Sequence, residues 1–350
     1  MTNSKAVNFW LNGQPVAAVP ACDRGLHYGD GFFTTALVVQ GQLLNASAHW
    51  HRLQESARRL NFVQFDLMAL QRQLRQVLDQ TQPDLAVIKI LVTRGCGGQG
   101  YAPLASAQLH YIIQQSPYPL SSVQDDLKGA EEQTIFQMLA QTAPIQAKVL
   151  QTQWGLCSRL AGLKHLNRLE NVLARQELQQ SITGLGILAI AEDSGDKIAN
   201  ASTQKVEKNW AEGVMLDEAG WVISGTQANL VAYIDGQWVT PKLHHCGVMG
   251  TTLARLAETL NITAVSLSLL DLSKAEALFF CNAIRGVQPV ATLYFDEHLQ
   301  NVLAETVQAV NKPAKVFAEA LPSFQHYSVA RVQSIQQLWA AALQQDLTGG

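Results

Sequence analysis

The sequence predicts a two-domain α+β protein with its domain boundary near residue 115. Three observations predict it. First, the alternating apolar residues of VNFWLNG and the runs AVIKILVTR and LHYII (109–113) read as strands, with a helix-like stretch from His49 to Leu60 among them. Second, QQSPYPLSS from Gln114 to Ser122 combines two prolines with small polar residues, which favours an extended connection over a continuing helix. Third, the short apolar runs VML, WVI, NLVAYI and WVT are separated by DEAG and the turn-forming Asp235-Gly236, the pattern of an antiparallel meander.

Between boundary and meander, Leu166, Leu169, Val172 and Leu173 recur at helical spacing, which predicts an amphipathic helix directly after Lys164 and puts the lysine at its entrance. After the meander, ALFFC reads as a further strand leading into Asn282. Two stretches, 129–140 and 181–209, look added to this scaffold and show no repeat period. Beyond about residue 300, AETVQAV and VQSIQQLWAAALQQ read as a C-terminal helical extension, broken by proline and packed on the surface.

A chain of 350 residues, 47% hydrophobic, buries a sizeable core and favours two domains over one. Its formal charge of -3 and pI near 6.3 provide no basic excess for nucleic acid or an anionic membrane, so the expected partner is a small-molecule substrate. The cysteines Cys22, Cys96, Cys157, Cys246 and Cys281 are odd in number, widely spaced and without a CxxC pair; neither a disulfide framework nor a metal site is expected. MTNSKAVNFWLNGQP lacks a basic region followed by an apolar run, and no stretch of 18 apolar residues occurs. The expectation is a cytoplasmic protein.

Lys164 is flanked by small and apolar residues in RLAGLKHLNRLENVLAR. Burial there disfavours the charged amine and makes it a better imine-forming nucleophile, whereas the plain alternative is a solvated lysine near a helix start. CGVMGTTLARLAETL, from Cys246 to Leu260, sets glycines and threonines before an amphipathic helix and suits a phosphate; it reads equally as a glycine turn before a Thr-capped helix. Arg52 offers a bidentate partner to the same anion, while Arg58 and Arg59 read as a solvated face. His49 and His51 are wrongly spaced for one helical face and have no acidic neighbour, which speaks against a metal. The loop TRGCGGQGY, Thr93 to Tyr101, permits close backbone approach to a ligand and equally describes a hairpin tip. No nucleophile elbow, Walker loop or HExxH offers a rival chemistry.

Taken in order, DRGLHYGDGFFTT, AHWHRLQESARRL, TRGCGGQGY, RLAGLKHLNRLENVLAR, WVISGTQANL, CGVMGTT and FFCNAIRGVQPV resemble the fold-type IV enzymes that use pyridoxal 5'-phosphate (PLP). GDGFFTT, RGCGGQGY and LAGLKHLNRLENVL are most similar to the aminodeoxychorismate lyases within that group. The resemblance spans residue 7 to about 295, apart from the two added stretches. It implies a small α/β domain (1–115), a larger domain (116–350) with a barrel-like β-core, PLP between them, and a homodimer. It implies Lys164 as the Schiff-base lysine and Arg52 as a phosphate ligand. Val248, Met249 and the Thr251 helix start would form the phosphate-binding turn, with Asn282 and Ala283 beside it. Tyr28, Thr35, Tyr101 and Arg285 fall at substrate-side positions. The implied reaction turns 4-amino-4-deoxychorismate into 4-aminobenzoate and pyruvate in folate synthesis, Lys164 taking the proton from the amine-bearing carbon. D-amino-acid or branched-chain transamination, and a catalytically impaired PLP-binding paralogue, are the alternatives.

Two departures from the family pattern bear on that choice. Ser224 stands where most members have a glutamate paired to the pyridine nitrogen, and Gly220-Trp221-Val222 and Asn229-Leu230 hold the register without a gap. A hydroxyl there makes a weaker electron sink than a carboxylate, which should harm transamination more than an elimination driven by aromatisation. Gln99 replaces an arginine in the glycine loop, which removes one contact for a substrate carboxylate. Glu192, Asp193 and Asp196 sit in a Gly-containing polar stretch that reads as a solvated loop.

Overall fold

The computed structural model describes residues 8–118, 132–183, 210–295 and 322–348. The N-terminal part is a six-stranded antiparallel sheet: β1 (Asn8–Leu11), β2 (Gln14–Pro15), β3 (Gly31–Val39), β4 (Gln42–Leu43), β5 (Leu85–Thr93) and β6 (His110–Pro117), in the order β2-β1-β6-β5-β3-β4. Three helices accompany it: the short α1 (Arg24–Tyr28), then α2 (Ala46–Arg59) and α3 (Leu67–Thr81). Leu53, Ala57, Leu70, Leu74 and Val77 recur at three to four residues on α2 and α3, and that stripe packs on Phe32, Ile88 and Ile90. Strand periodicity does the rest: Ile88, Ile90 and Val92 go under the helices, so Lys89 emerges on the opposite face. Thr35 lies directly across from Lys89, which puts Phe33, Thr35 and Lys89 on one face of the sheet. Gly31 opens β3 because a Cβ there would collide with the Val92 carbonyl oxygen.

The second part begins with α4 (Glu132–Leu139), β7 (Ile145–Val149) and α5 (Leu169–Thr183). There follow β8 (Glu212–Leu216), β9 (Val222–Gly225), β10 (Asn229–Ile234), β11 (Gln237–Pro241), α6 (Thr251–Leu260), β12 (Thr263–Val265) and α7 (Leu269–Lys274). β13 (Ala277–Asn282), β14 (Gly286–Tyr294), β15 (Phe324–His326) and α8 (Val329–Thr348) complete it. The sheet order is β12-β11-β10-β13-β14-β7-β8-β9, with β15 on β14. The sheet curls until β9 packs against β10 and β11, giving the barrel-like core that the resemblance implied. Leu216, Val222, Leu230, Leu278, Phe280 and Leu293 fill it. The four short apolar runs are therefore not one continuous meander. They form two hairpins, β8-β9 and β10-β11, because β10 takes β13 as its other neighbour. The second hairpin turns at Asp235-Gly236 as expected, both residues having positive φ.

Four other sequence expectations change. The helix after Lys164 starts only at Leu169, and its apolar stripe faces outward: Leu169 is 69% exposed and Leu173 47%, while Ala174 and Leu178 are buried. The stretch at 129–140 is part of the core where it is described, since Ile135, Phe136 and Leu139 of α4 pack on Val332, Ile335 and Trp339 of α8. The C-terminal segment is likewise no surface appendage, because Trp339 is fully buried and Arg255 pairs with Asp346 at 2.7 Å. Cys22 and Cys96, 74 residues apart, form a disulfide that spacing could not reveal, as α1 and the glycine loop meet only in the folded chain. Residues 184–209, with Glu192, Asp193 and Asp196, and AETVQAV lie outside the described residues. Among the described residues no helix is long and apolar enough to cross a membrane.

Candidate active site

Lys164 lies on an extended segment stitched between the two sheets. On one side the Phe33 N–H donates to the Lys164 carbonyl at 2.9 Å and the Leu166 N–H to Gly31 at 3.0 Å. On the other, Gly162 N–H donates to Gly247 and Met249 N–H to Gly162, each at 3.0 Å. Arg59, expected as a solvated residue, ties the same segment down by donating to the Ala161 and Arg159 carbonyls. The lysine ammonium thereby comes 4.7 Å from the Phe33 ring centroid. It lines a cavity of about 530 Å³. Burial first, then the charges of Arg52, Arg168 and Lys89, lower its pKa to about 7.

That cavity gathers most of the residues singled out in the sequence. Thr35, Arg52, Lys164, Ser224, Val248, Thr251, Asn282, Ala283 and Arg285 all line it. Arg52 bridges α2 to the predicted anion turn, donating to Thr34 Oγ1 at 3.3 Å and to the Met249 carbonyl at 2.7 Å. Met249 contributes that carbonyl while its side chain is exposed. Asn282 shapes the backbone, its Oδ1 accepting from Ile284 N–H and Arg285 N–H. Tyr28 and Tyr101 are not in this cavity. They line a second one of about 300 Å³, with ring centroids 5.3 Å apart, because Arg24 holds the glycine loop over α1 through the Gly100 and Tyr101 carbonyls.

The sequence reading missed Phe33, Lys89, Trp154, Arg168 and Asn171, which also line the cavity. A lysine inside the apolar run AVIKILV was the one available signal, since it marks a strand face that is not solvent-covered core. Trp154 Nε1–H donates to Ser224 Oγ at 3.2 Å, and Ser224 donates to the Gly225 carbonyl at 2.9 Å. Behind this wall Glu212 is buried, its Oε1 accepting from Gly213 N–H, Thr226 N–H and the Thr226 hydroxyl. His49 pairs with the Thr34 hydroxyl at 2.7 Å, and burial together with Arg52 and Lys164 depresses its pKa to about 3, so the imidazole is neutral.

The lining holds the cations Arg52, Lys89, Lys164, Arg168 and Arg285 and, among the described residues, no carboxylate. Gly250 is the N-cap of α6 and supplies no side-chain cap, so the expected Thr cap is absent. The Thr251 and Thr252 hydroxyls, Arg168 Nη1 and Asn171 Oδ1 are buried without a hydrogen-bond partner. A Cβ on Gly250 would collide with Asn229 Oδ1, so the turn's backbone is kept close and bare. Free helix N–H groups, hydroxyls and a guanidinium at one spot suit a phosphate, and a desolvated lysine beside it suits a carbonyl.

The amino-transferase class IV family model matches residues 31–187 and 196–293. The chain belongs to the amino-transferase class IV family. Within it, an aminodeoxychorismate lyase of Vibrio harveyi is 30% identical over 296 residues, 83% of this chain and 93% of that protein. The crystal structure of 4-amino-4-deoxychorismate lyase from Pseudomonas aeruginosa superposes with a TM-score of 0.63 at 32% identity, covering 87% of this chain and 99% of that one. A hypothetical aminotransferase from Mycobacterium tuberculosis, in a PLP-bound form, shares the fold, with a TM-score of 0.59 at 18% identity over 86% of this chain and 98% of that one. The class IV fold thus accounts for the curled sheet and for the cavity beside Lys164.

Proposed function

We propose that the chain is a PLP-dependent lyase that converts 4-amino-4-deoxychorismate to 4-aminobenzoate and pyruvate. The observation that supports it is the cavity lining, with Arg52, Lys89, Lys164, Arg168 and Arg285 facing no carboxylate among the described residues. A phosphate and a substrate with two carboxylates would balance such a lining; an amino acid with one carboxylate leaves more of it unpaired. The lyases of Vibrio harveyi and Pseudomonas aeruginosa, at 30% and 32% identity, favour the same reading.

In this reading Thr251, Thr252 and Arg52 hold the cofactor phosphate, with the backbone of Val248 and Met249 completing the turn and Asn282 and Ala283 flanking it. The bound cofactor supplies the electron sink for the substrate's amine-bearing carbon. Lys164 would hold the cofactor and, as a neutral amine, would act as the base that takes the proton from the amine-bearing carbon. Phe33 keeps water off its amine, and Lys89, Thr35 and Arg285 orient carboxylates. Self-association is supported by the exposed Leu169, Val172 and Leu173 stripe of α5.

Pyruvate release from enzymatically generated aminodeoxychorismate, coupled to lactate dehydrogenase, tests this reading. Pyruvate from the wild type and none from Lys164→Ala is expected. Faster conversion of PLP to pyridoxamine phosphate by D- or branched-chain amino acids than pyruvate release would identify an aminotransferase instead. An absorption band at about 420 nm with neither activity would identify a silent paralogue.

A further inference from the structure

We propose that Arg168 grips the phenolic oxygen of the bound cofactor, beside the ring carbon whose substituent joins Lys164, and holds that oxygen anionic. The inference rests on the reading that PLP is carried on Lys164.

The guanidinium is fastened to the backbone on both sides of that lysine. Its Nη2 donates to the Leu163 carbonyl at 2.6 Å and its Nε to the His165 carbonyl at 2.9 Å. Arg168 and Lys164 therefore share one rigid frame, whatever the rest of the cavity does. The planar fork leaves one nitrogen over, and Nη1 is buried without an acceptor. A desolvated charged donor with no partner is destabilising, so the site is incomplete until its occupant brings an oxygen. Glu170, two residues on, favours the charged guanidinium through space but does not satisfy Nη1, its Oε1 accepting the Gly155 N–H at 3.1 Å instead. Trp154 flanks the group, its ring centroid 5.7 Å from the guanidinium carbon.

The chemistry of the occupant selects the oxygen. PLP carries its aldehyde and its phenolic hydroxyl on adjacent ring carbons, so bonding the aldehyde carbon to Lys164 brings the phenolic oxygen into the frame that Arg168 shares. The phosphate, on the other side of the aldehyde, goes to Arg52 and the α6 start. Carboxylates have Lys89 on β5 and Arg285 at the β13-β14 turn, neither of which is tied to the Lys164 backbone. The charged and titratable groups around Lys164 are then Arg52 and His49 from α2, Lys89 from β5, Arg285, and Arg168 with Glu170 behind it.

A cation on the phenolic oxygen favours loss of the proton shared with the cofactor-lysine nitrogen, so removing it must raise the pH at which the band at about 420 nm titrates. The experiment follows that band against pH in reconstituted wild type, Arg168→Gln and Arg168→Lys, with borohydride reduction and peptide mass spectrometry to locate the adduct. With the adduct on Lys164, an inflection raised by about one pH unit or more in Arg168→Gln, and by less in Arg168→Lys, is expected. An unmoved inflection in either folded variant, with a raised KM for substrate, would assign Arg168 to a substrate carboxylate and overturn the proposal. No adduct on Lys164 in the wild type would overturn the cofactor reading itself. Should Arg168→Gln fail to fold, the Lys variant decides, because it keeps the charge and loses the fork.

Discussion

The Trp154 indole N–H donates to the Ser224 hydroxyl across 3.2 Å, and Ser224 spends its own proton on the Gly225 carbonyl. Where the family resemblance implied a glutamate, the wall is therefore a closed neutral pair here. On the proposed reading, a cofactor ring nitrogen against that wall would face the Ser224 hydroxyl, with the Glu212 carboxylate held behind it by Thr226, and its electron sink would be weaker. Ser224→Glu is expected to raise the rate of PLP conversion to pyridoxamine phosphate with D-alanine by about tenfold or more relative to pyruvate release. Stopped-flow spectra of the half-reaction measure it, and an unchanged ratio would remove Ser224 from the account of reaction choice.

If Lys164 carries the cofactor as proposed, its pKa sets the pH dependence of cofactor loading. Its pKa is lowered to about 7, chiefly by burial and then by Arg52, Arg168 and Lys89. A lowered pKa on a base means that the neutral, reactive amine predominates above about pH 7, whereas an ordinary lysine holds its proton to about 10.4. The rate of PLP uptake by the apoprotein should therefore climb about fivefold from pH 6 to 7 and level above about pH 8. Lys89→Gln, which removes one of the cations, should shift the inflection upward. An inflection above about pH 9 in the wild type would contradict the desolvated lysine.

Cys22 and Cys96 join the segment before α1 to the glycine loop across 74 residues of chain. Closing a loop of that length in the unfolded state stabilises the native one by about 2–4 kcal/mol. Urea unfolding with and without dithiothreitol should show a loss of that order, and Cys22→Ser should match the reduced protein. Identical midpoints would mean the thiols are free in solution.

The outward stripe on α5 predicts an assembly. Leu173→Asp places a charge among Leu169, Val172 and Leu173, all of them exposed. Sedimentation velocity should show a dimer for the wild type and a shift to monomer for the variant. A monomeric wild type would sink the proposal of self-association, and the stripe would then need another partner.

Much of the site was legible along the chain. Lys164 and the Val248-Met249-Gly250-Thr251 turn stood out because each belongs to a local pattern, a small-residue flank or a glycine turn before an amphipathic helix, and such patterns survive in one dimension; Arg52 stood out only as a guanidinium suited to the same anion. The stripe after Lys164 misled for a related reason. Helical spacing of Leu169, Val172 and Leu173 states that they share a face, and says nothing about what covers it.

Along the chain, local patterns placed most strands and helices, the buried lysine and the glycine turn before α6, each being a property of residues near one another, while the family resemblance alone flagged Ser224. The rest came from long-range packing. It put Lys89 and Phe33 on the sheet face beside Lys164, clamped Arg168 to the carbonyls on either side of that lysine, and joined Trp154 to Ser224 across 70 residues. It also drew Cys22 to Cys96 and buried Trp339 from the far end of the chain. These pairings depend on which surfaces the curled sheet and its helices bring into contact, and burial and hydrogen-bond partners at long separation arise only when those surfaces close.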